Sequence, residues 1–217
     1  ALRADRVRPG LVYAGTEYGM NIRFDDGANW KPFQLNMPVT PVTDMTIKEN
    51  DLVVATQGRS FYILDDLSIL QQMNKDILAK KLHVFAVNPA WRIRGSRFRG
   101  RGNNPVNAGA NPPGGVVMNY YLKEATDSTK LSVTLYDKSR KTIKTFAPDS
   151  KDYKIEVKKG MNRFNWDLLY PEAERSEGMI LWNGAPGGIL ASPGNYFAKF
   201  KSGSDSSEVA FTVKADP

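Results

Sequence analysis

The residues of this chain that could do chemistry are acids, arginines and a tyrosine near two short, similar segments. Glycoside hydrolysis usually needs two carboxyl groups about 5–10 Å apart, one on either side of the scissile bond. Two such segments are too few to assemble a complete active site and could contribute one or two residues at most, so we assign no catalytic residue here. The polar groups in question are Glu17, Tyr18, Arg23, Asp44, Arg59 and Asp66.

Metal and cofactor chemistry finds little support in the sequence. Cysteine is absent, which excludes disulfides, thiol catalysis and cysteine-ligated metals. Two acidic pairs, at 25–26 and 65–66, lack the Asp-x-Asp-x-Asp-Gly pattern of a calcium loop, and Ca²⁺ needs about 6–8 oxygen ligands. His83, the single histidine, begins a predicted strand and is interpreted as structural. We predict no metal and no cofactor.

The positive charge of the chain is concentrated in one segment. The net charge is +7, and five arginines fall within ten residues that contain no acid. Interleaved with Trp91 and Phe98, they could neutralise phosphates and stack on bases, but no nucleic-acid-binding fold surrounds them. We favour a solvated loop, or arginines paired with carboxylates of a domain missing from this sequence, over nucleic-acid binding. The five are Arg92, Arg94, Arg97, Arg99 and Arg101.

An internal repeat indicates the architecture of the first part. Leu-Val-Tyr-Ala-Gly-Thr at 11–16 recurs as Leu-Val-Val-Ala-Thr at 52–56, and each copy is followed by a hydrophobic run ending in Asp-Asp. A period of about 40–45 residues with several short strands is typical of a β-propeller blade. Propellers usually have about 4–8 blades, whereas residues 1–66 hold fewer than two. We therefore predict terminal blades of an incomplete propeller, the second lacking its fourth strand.

The rest of the chain predicts a second domain. Apolar residues at roughly helical spacing over 67–82 predict a helical linker. Residues 83–217 contain about seven short strands, with the alternation of Tyr-Phe-Ala-Lys-Phe at 196–200, which favours an immunoglobulin-like β-sandwich. Within it, 91–115 is a long Arg/Gly-rich loop. The predicted fold class is all-β.

One hairpin carries a recognisable signature. Phe-Asp-Asp-Gly-Ala-Asn-Trp at 24–30 resembles an Asp-box, Ser-x-Asp-x-Gly-x-x-Trp, with Arg23 where Ser or Thr is usual. Asp25 can accept hydrogen bonds from turn amides, Gly27 supplies an unusual backbone angle, and Trp30 covers the hairpin. We interpret these three residues as structural.

These features together resemble a known family. A resemblance to the end of the propeller in bacterial sortilin-like, BNR-repeat proteins is carried by the Asp-box and by segments 10–19 and 51–66. Proteins of this family are large, secreted and often labelled glycosyl hydrolases. The second half resembles the immunoglobulin-like domain that follows that propeller. Gln57 stands where the family pattern suggests a His before Gly58-Arg59, so any role of that His is absent here. The matching segments of the second half are 111–115, 120–123, 160–168, 178–182 and 191–196.

The resemblance implies a non-catalytic structural or interaction module of a larger bacterial protein that is secreted, periplasmic or on the outer cell surface. Its expected partners are the remainder of the propeller or another subunit, and a protein or glycan ligand. Contact residues would be Glu17, Tyr18, Arg59 and the loop arginines. The alternative is an accessory part of a glycoside hydrolase whose active site lies mainly upstream. No apolar run approaches the roughly 20 residues of a membrane span.

Overall fold

The computed structural model describes residues 1–24, 27, 29–93, 113–126, 128–148, 153, 155–172, 178 and 188–216. Among these residues, strands make up 49% and helices 6%, and none of the described sheets closes into a barrel. The all-β prediction is therefore confirmed. Two compact units, Ala1–Met73 and Asn74–Pro217, divide the chain inside the segment predicted as a linker.

The first unit contains two antiparallel sheets whose strands follow chain order. The first sheet has four strands and the second has three. The repeat places β2 and β6 in equivalent positions, and likewise β3 and β7. Among the residues that the structure describes, no strand of the second sheet corresponds to β4. The strands are β1 (Leu2–Ala4), β2 (Val12–Thr16), β3 (Gly19–Arg23), β4 (Lys31–Pro32), β5 (Val42–Lys48), β6 (Asp51–Thr56) and β7 (Phe61–Leu64).

The two sheets of this unit bury one apolar core. Strands β2 and β6 contribute alternate residues to it, as expected for strands with one buried face. Tyr13 and Leu52 are almost completely buried, and so is Leu67, which precedes the first helix. The buried members of the core are Leu11, Tyr13, Met20, Ile22, Met37, Val42, Met45, Ile47, Leu52, Val54 and Leu67.

The stretch predicted as one helix over 67–82 forms two short helices. They are α1 (Ser68–Gln72) and α2 (Lys75–Ala79), and each belongs to a different unit. Met73 is extended, and the side chain of Asn74 accepts a hydrogen bond from the amide of Ile77 at 2.9 Å. Asn is a favourable helix N-cap because it satisfies an amide that has no partner within the helix. This cap starts a new helix where the apolar spacing predicted continuation. In the described residues, neither helix is long or apolar enough to cross a membrane.

The second unit contains a three-stranded and a five-stranded sheet. Their strand orders are β13–β10–β8 and β12–β11–β14–β15–β9, and the pairings are antiparallel except that β9 runs parallel to β15. The strands are β8 (Leu82–Val84), β9 (Ala90–Arg92), β10 (Val116–Leu122), β11 (Leu131–Tyr136), β12 (Thr142–Phe146), β13 (Gly160–Trp166), β14 (Gly194–Ser202) and β15 (Asp205–Ala215).

Both of these sheets contribute to one core, rich in aromatic rings. Tyr120 of the smaller sheet lies 5.1 Å from Phe200 of the larger one, measured between ring centres. Trp166 and Tyr196 meet in the same way at 5.5 Å. Trp166 is fully buried and donates a hydrogen bond from Nε1 to the carbonyl of Leu169 at 3.1 Å, so its polar atom is satisfied. Because inward residues alternate with outward ones, the outer face of the five-stranded sheet carries charged and polar side chains together with a few aromatic rings.

Candidate functional site

The predicted contact residues of the first unit lie in two hairpin turns. Glu17 and Tyr18 occupy the turn between β2 and β3, and Tyr18 is 79% exposed. Arg59 occupies the turn between β6 and β7. Gly15 lies against Val42, and Val42 pairs with Thr56, so the two turns lie at the same end of the unit. The fold therefore places Glu17, Tyr18 and Arg59 in two solvent-exposed turns at the same end of the first unit.

The described residues of the Asp-box segment are joined by one hydrogen bond and one cation–π contact. The amide of Gly27 donates to the carbonyl of Phe24 at 3.1 Å. The Trp30 ring faces the guanidinium of Arg23, with 5.1 Å from the guanidinium carbon to the ring centre. Arg23, which replaces the usual Ser or Thr, therefore packs on the tryptophan of the signature. Asp25 lies outside the described residues.

Two of the carboxylates considered for glycosidic chemistry, Asp44 and Asp66, have structural partners. Asp44 pairs with Arg3 at 2.6 Å and accepts the amide of Met45 at 2.8 Å. Asp66 accepts a hydrogen bond from Asn50 at 2.8 Å and one from the amide of Ser68, at the start of α1, at 3.0 Å. These contacts fix strand and helix ends rather than aim two acids at a common point.

Within the described part of the chain, strand β7 forms an open edge of the second sheet. Thr56 donates its amide to the carbonyl of Ser60, and hydrogen-bonded pairs alternate along an antiparallel ladder. The amides and carbonyls of Phe61 and Ile63 therefore point away from β6. Their side chains are 70% and 61% exposed. Unpaired edges of this kind are templates for adding another strand.

A small cavity lies beside this edge. It has a volume of about 130 Å³ and is lined by residues of both sheets of the first unit. Met20 and Phe33 come from the first sheet and the segment after it, whereas Tyr62 and Leu64 come from β7. An added strand would lie next to this opening and could fill it with an apolar side chain.

The arginine-rich segment is described only at its beginning. Arg92 lies on β9, and its Nε atom is buried without a hydrogen-bond partner among the described residues. Arg94, Arg97, Arg99 and Arg101 lie outside the described residues.

The outer face of the five-stranded sheet carries a group of residues that sequence reasoning did not select. Tyr136, Phe197 and Ala210 form one row across β11, β14 and β15. The next outward-facing pair along β14 and β15 is Lys199 with Glu208. The outward positions of the alternating segment at 196–200 were visible in the sequence. Their grouping depended on register between distant strands.

Cations cover two aromatic rings on this face. The guanidinium carbon of Arg140, from the β11–β12 turn, lies 3.5 Å from the centre of the Phe197 ring. Arg140 also pairs with Glu208, which holds its side chain across β14 and β15. At the other end, the ammonium of Lys214 lies 5.2 Å from the Trp91 ring centre. Cation–π contacts of this kind favour fixed positions for these charges.

Tyrosines are the buried titratable groups with raised pKa values. Burial raises the pKa of Tyr13 well above its usual range, and the neighbouring Asp5 adds to the shift. Burial does the same to the pKa of Tyr120. Burial, followed by the nearby Tyr170, raises the pKa of Tyr196 to about 12. These hydroxyls remain protonated at neutral pH and act as hydrogen-bond donors, as Tyr196 does to the carbonyl of Ser192 at 2.6 Å.

The geometry of the described residues suits binding through surfaces. Among them, no group of three or more acidic or histidine side chains is placed to hold a metal ion. The two surfaces that stand out are the β7 edge of the first unit and the outer face of the five-stranded sheet. Comparison of the chain with protein-family models and with curated proteins gives no match.

Proposed function

We propose that this chain is a non-catalytic structural and interaction module of a larger bacterial β-propeller protein, secreted or displayed on the cell surface. In this proposal the two sheets of the first unit are terminal propeller blades. The second unit is an immunoglobulin-like sandwich, and the module binds a protein or a glycan. The resemblance to sortilin-like, BNR-repeat proteins supports the assignment.

The observation that carries the proposal is the difference between the two repeated sheets. In the first sheet β3 is covered by β4, whereas its counterpart β7 has no neighbour on that side among the described residues. Phe61 and Ile63 present both unpaired backbone groups and exposed apolar side chains there. Such an edge favours self-association unless a strand covers it. We infer that this strand comes from the remainder of the propeller or from another subunit.

The polar groups of the first unit support binding rather than catalysis. Asp44 and Asp66 have structural partners, as described above. Glu17 and Arg59 are exposed in turns at the same end of the unit and are free to contact a ligand there. Catalytic carboxylates of a glycoside hydrolase would then belong to other blades, since a propeller site draws on several of them.

The test is the state of β7 in the protein recovered from the cells that make it, under native conditions. We expect a native mass well above the 24.2 kDa of this chain. We also expect the amides of Phe61 and Ile63 to exchange slowly with solvent there, and quickly in the isolated chain. A 24.2 kDa monomer whose two amides exchange quickly would contradict the proposal.

A matched pair of variants makes the test specific to the edge. Ile63→Lys places a charge on β7 and should weaken the assembly, because an added strand would have to bury it. Val7→Lys changes an equally exposed apolar residue, 68% exposed, in the β1–β2 loop and should leave the assembly intact. Equal losses in the two variants would show that β7 is not the contact.

A further inference from the structure

We propose that the outer face of the five-stranded sheet binds an acidic polysaccharide, with its lysines and Arg140 contacting sugar carboxylates. This inference names a ligand class for the proposed module and rests on its role as a binding protein. It concerns the second unit, whereas the assembly through β7 concerns the first.

The charge of this face is the first argument. Lys199 and Lys201 point outward from β14, Lys214 points outward from β15, and Arg140 reaches over from the β11–β12 turn. Glu208 lies among them and is paired with Arg140, so it orients one cation while it offsets one charge. The group retains a positive excess, which is complementary to a polyanion.

The cations that lie over the aromatic rings indicate whether the face suits a nucleic acid or a polymer of carboxylates. Arg140 lies on Phe197, and Lys214 lies near the ring of Trp91. Single-stranded nucleic acid is usually held by bases that stack on open aromatic rings. Here a cation lies over each ring, 3.5 Å from the centre of Phe197 and 5.2 Å from that of Trp91, which is 46% exposed. The face therefore offers charges held in position rather than bare stacking platforms, and this favours carboxylates over bases.

The spacing of these groups suits a linear polymer. Lys199 and Lys201 are two residues apart on one strand, which places them roughly 7 Å apart along the face. Phe197 and Trp91 are separated by two strand spacings across the sheet and four residues along it, which gives roughly 16 Å by standard strand geometry. A chain of several sugar rings is needed to reach both ends.

Uncharged polar groups between the cations can serve the sugar hydroxyls. The hydroxyl of Thr212 donates to the side-chain oxygen of Asn195 at 2.9 Å, and both lie on the row between Phe197 and Lys214. Ser206 pairs with Lys201 at the other end of the face. The face thus offers both charged groups and hydroxyls to a polymer that carries carboxylates and hydroxyls.

The test uses the whole chain and polygalacturonate as the probe, with neutral dextran as the reference polymer. We expect the chain to bind polygalacturonate, to ignore dextran, and to lose affinity as salt rises from about 50 to about 300 mM. The double variant Lys199→Gln/Lys201→Gln should bind about fivefold more weakly, as expected for two exposed charge contacts. Isothermal titration calorimetry measures each affinity, and the melting temperature of the variant checks its fold.

The control makes the same charge change elsewhere. Lys31→Gln/Lys48→Gln removes two exposed lysines of the first unit and should keep the affinity of the unchanged chain. Equal losses in the two double variants, or no loss at Lys199 and Lys201, would overturn the proposal. Tighter binding of a single-stranded oligonucleotide of matched charge would overturn the choice of ligand.

The result separates this inference from the assembly through β7. Ile63→Lys should bind polygalacturonate as the unchanged chain does, because β7 and the five-stranded sheet belong to different units. Failure of polygalacturonate binding with a protected β7 edge would reject the ligand and keep the assembly. Binding of polygalacturonate together with an unprotected β7 edge would keep the ligand and reject the assembly.

Discussion

Gln71 of α1 donates a hydrogen bond from Nε2 to the Oδ2 of Asp5, which lies 3.1 Å away and 66 residues earlier in the chain. The Oδ1 of Asp5 accepts the amides of Val7 and Arg8 at 2.8 and 2.7 Å. Arg8 in turn donates from its guanidinium to the carbonyl of Leu70 at 2.9 Å. One carboxylate, 9% exposed, thus fixes the β1–β2 loop and holds the first helix to it.

Replacing Asp5 by Ala should destabilise the first unit by about 2–3 kcal/mol, because several hydrogen bonds to one charged, buried group are lost together. The amides of α1 should then exchange faster with solvent, and urea should unfold the unit at a lower concentration. Hydrogen exchange and urea titration measure the two effects. Glu17→Ala, in an exposed turn, should change stability by less than about 0.5 kcal/mol. Unchanged exchange in α1 would show that Asp5 does not hold it.

Gly115 and Gly160 make a matched pair in the second unit. Both have positive φ angles, 98° and 94°. A Cβ on Gly115 would lie 2.1 Å from the carbonyl oxygen of Trp166, whereas a Cβ on Gly160 would meet nothing within 4 Å. Gly160→Ala should therefore cost about 1 kcal/mol for backbone strain alone. Gly115→Ala adds a backbone clash and should cost more.

Thermal unfolding of the two glycine variants checks this order. The melting temperature should fall clearly further for Gly115→Ala than for Gly160→Ala. Equal shifts would mean that the backbone at the start of β10, which pairs with Trp166, moves far enough to admit a methyl group.

His83 should make the second unit less stable in mild acid. Burial, and then the positive charge of Lys80, lower the pKa of this histidine below its ordinary value of 6.5. The native state therefore takes up its proton less readily than the unfolded state does. The resulting stability is present above about pH 6.5 and is lost as pH falls towards and through the lowered native pKa.

Urea titrations between about pH 5 and 7.5 test this dependence. His83 is the single histidine of the sequence, so the variant His83→Gln removes the residue type that normally titrates in this window. Its stability should vary less with pH than that of the unchanged chain. Parallel curves for the two proteins would assign the effect to other groups.

The sequence was sufficient for those parts of the fold that depend on local pattern. In β14, Tyr196, Ala198 and Phe200 are buried and alternate with less buried residues, as the pattern at 196–200 predicted. The repeat correctly placed the strands around Leu11 and Leu52 in equivalent positions. Alternation is local, so it can be recognised without knowledge of a strand's neighbours.

Features that depend on distant contacts could not be predicted. Strand β9 is three residues long and exists through its parallel pairing with β15, more than 100 residues away, which includes Trp91 beside Lys214. The approach of Arg140 to Phe197 and Glu208 likewise requires the register of β14 with β15. Asn74 is a local signal for the break between the two helices. The apolar residues around it keep helical spacing, and this spacing predicted one continuous helix.

The open edge of β7 also has a colloidal consequence. Copies of a chain with net charge +7 repel one another at low ionic strength, while Phe61 and Ile63 favour contact between them. Added salt shortens the range of the repulsion to roughly 10 Å at 0.1 M and strengthens apolar association relative to it. Salt should therefore promote clustering of the isolated chain at β7 while it releases polygalacturonate from the five-stranded sheet. Sedimentation velocity and calorimetry on the same salt series would show these opposite trends, and a common trend would mean that one surface governs both.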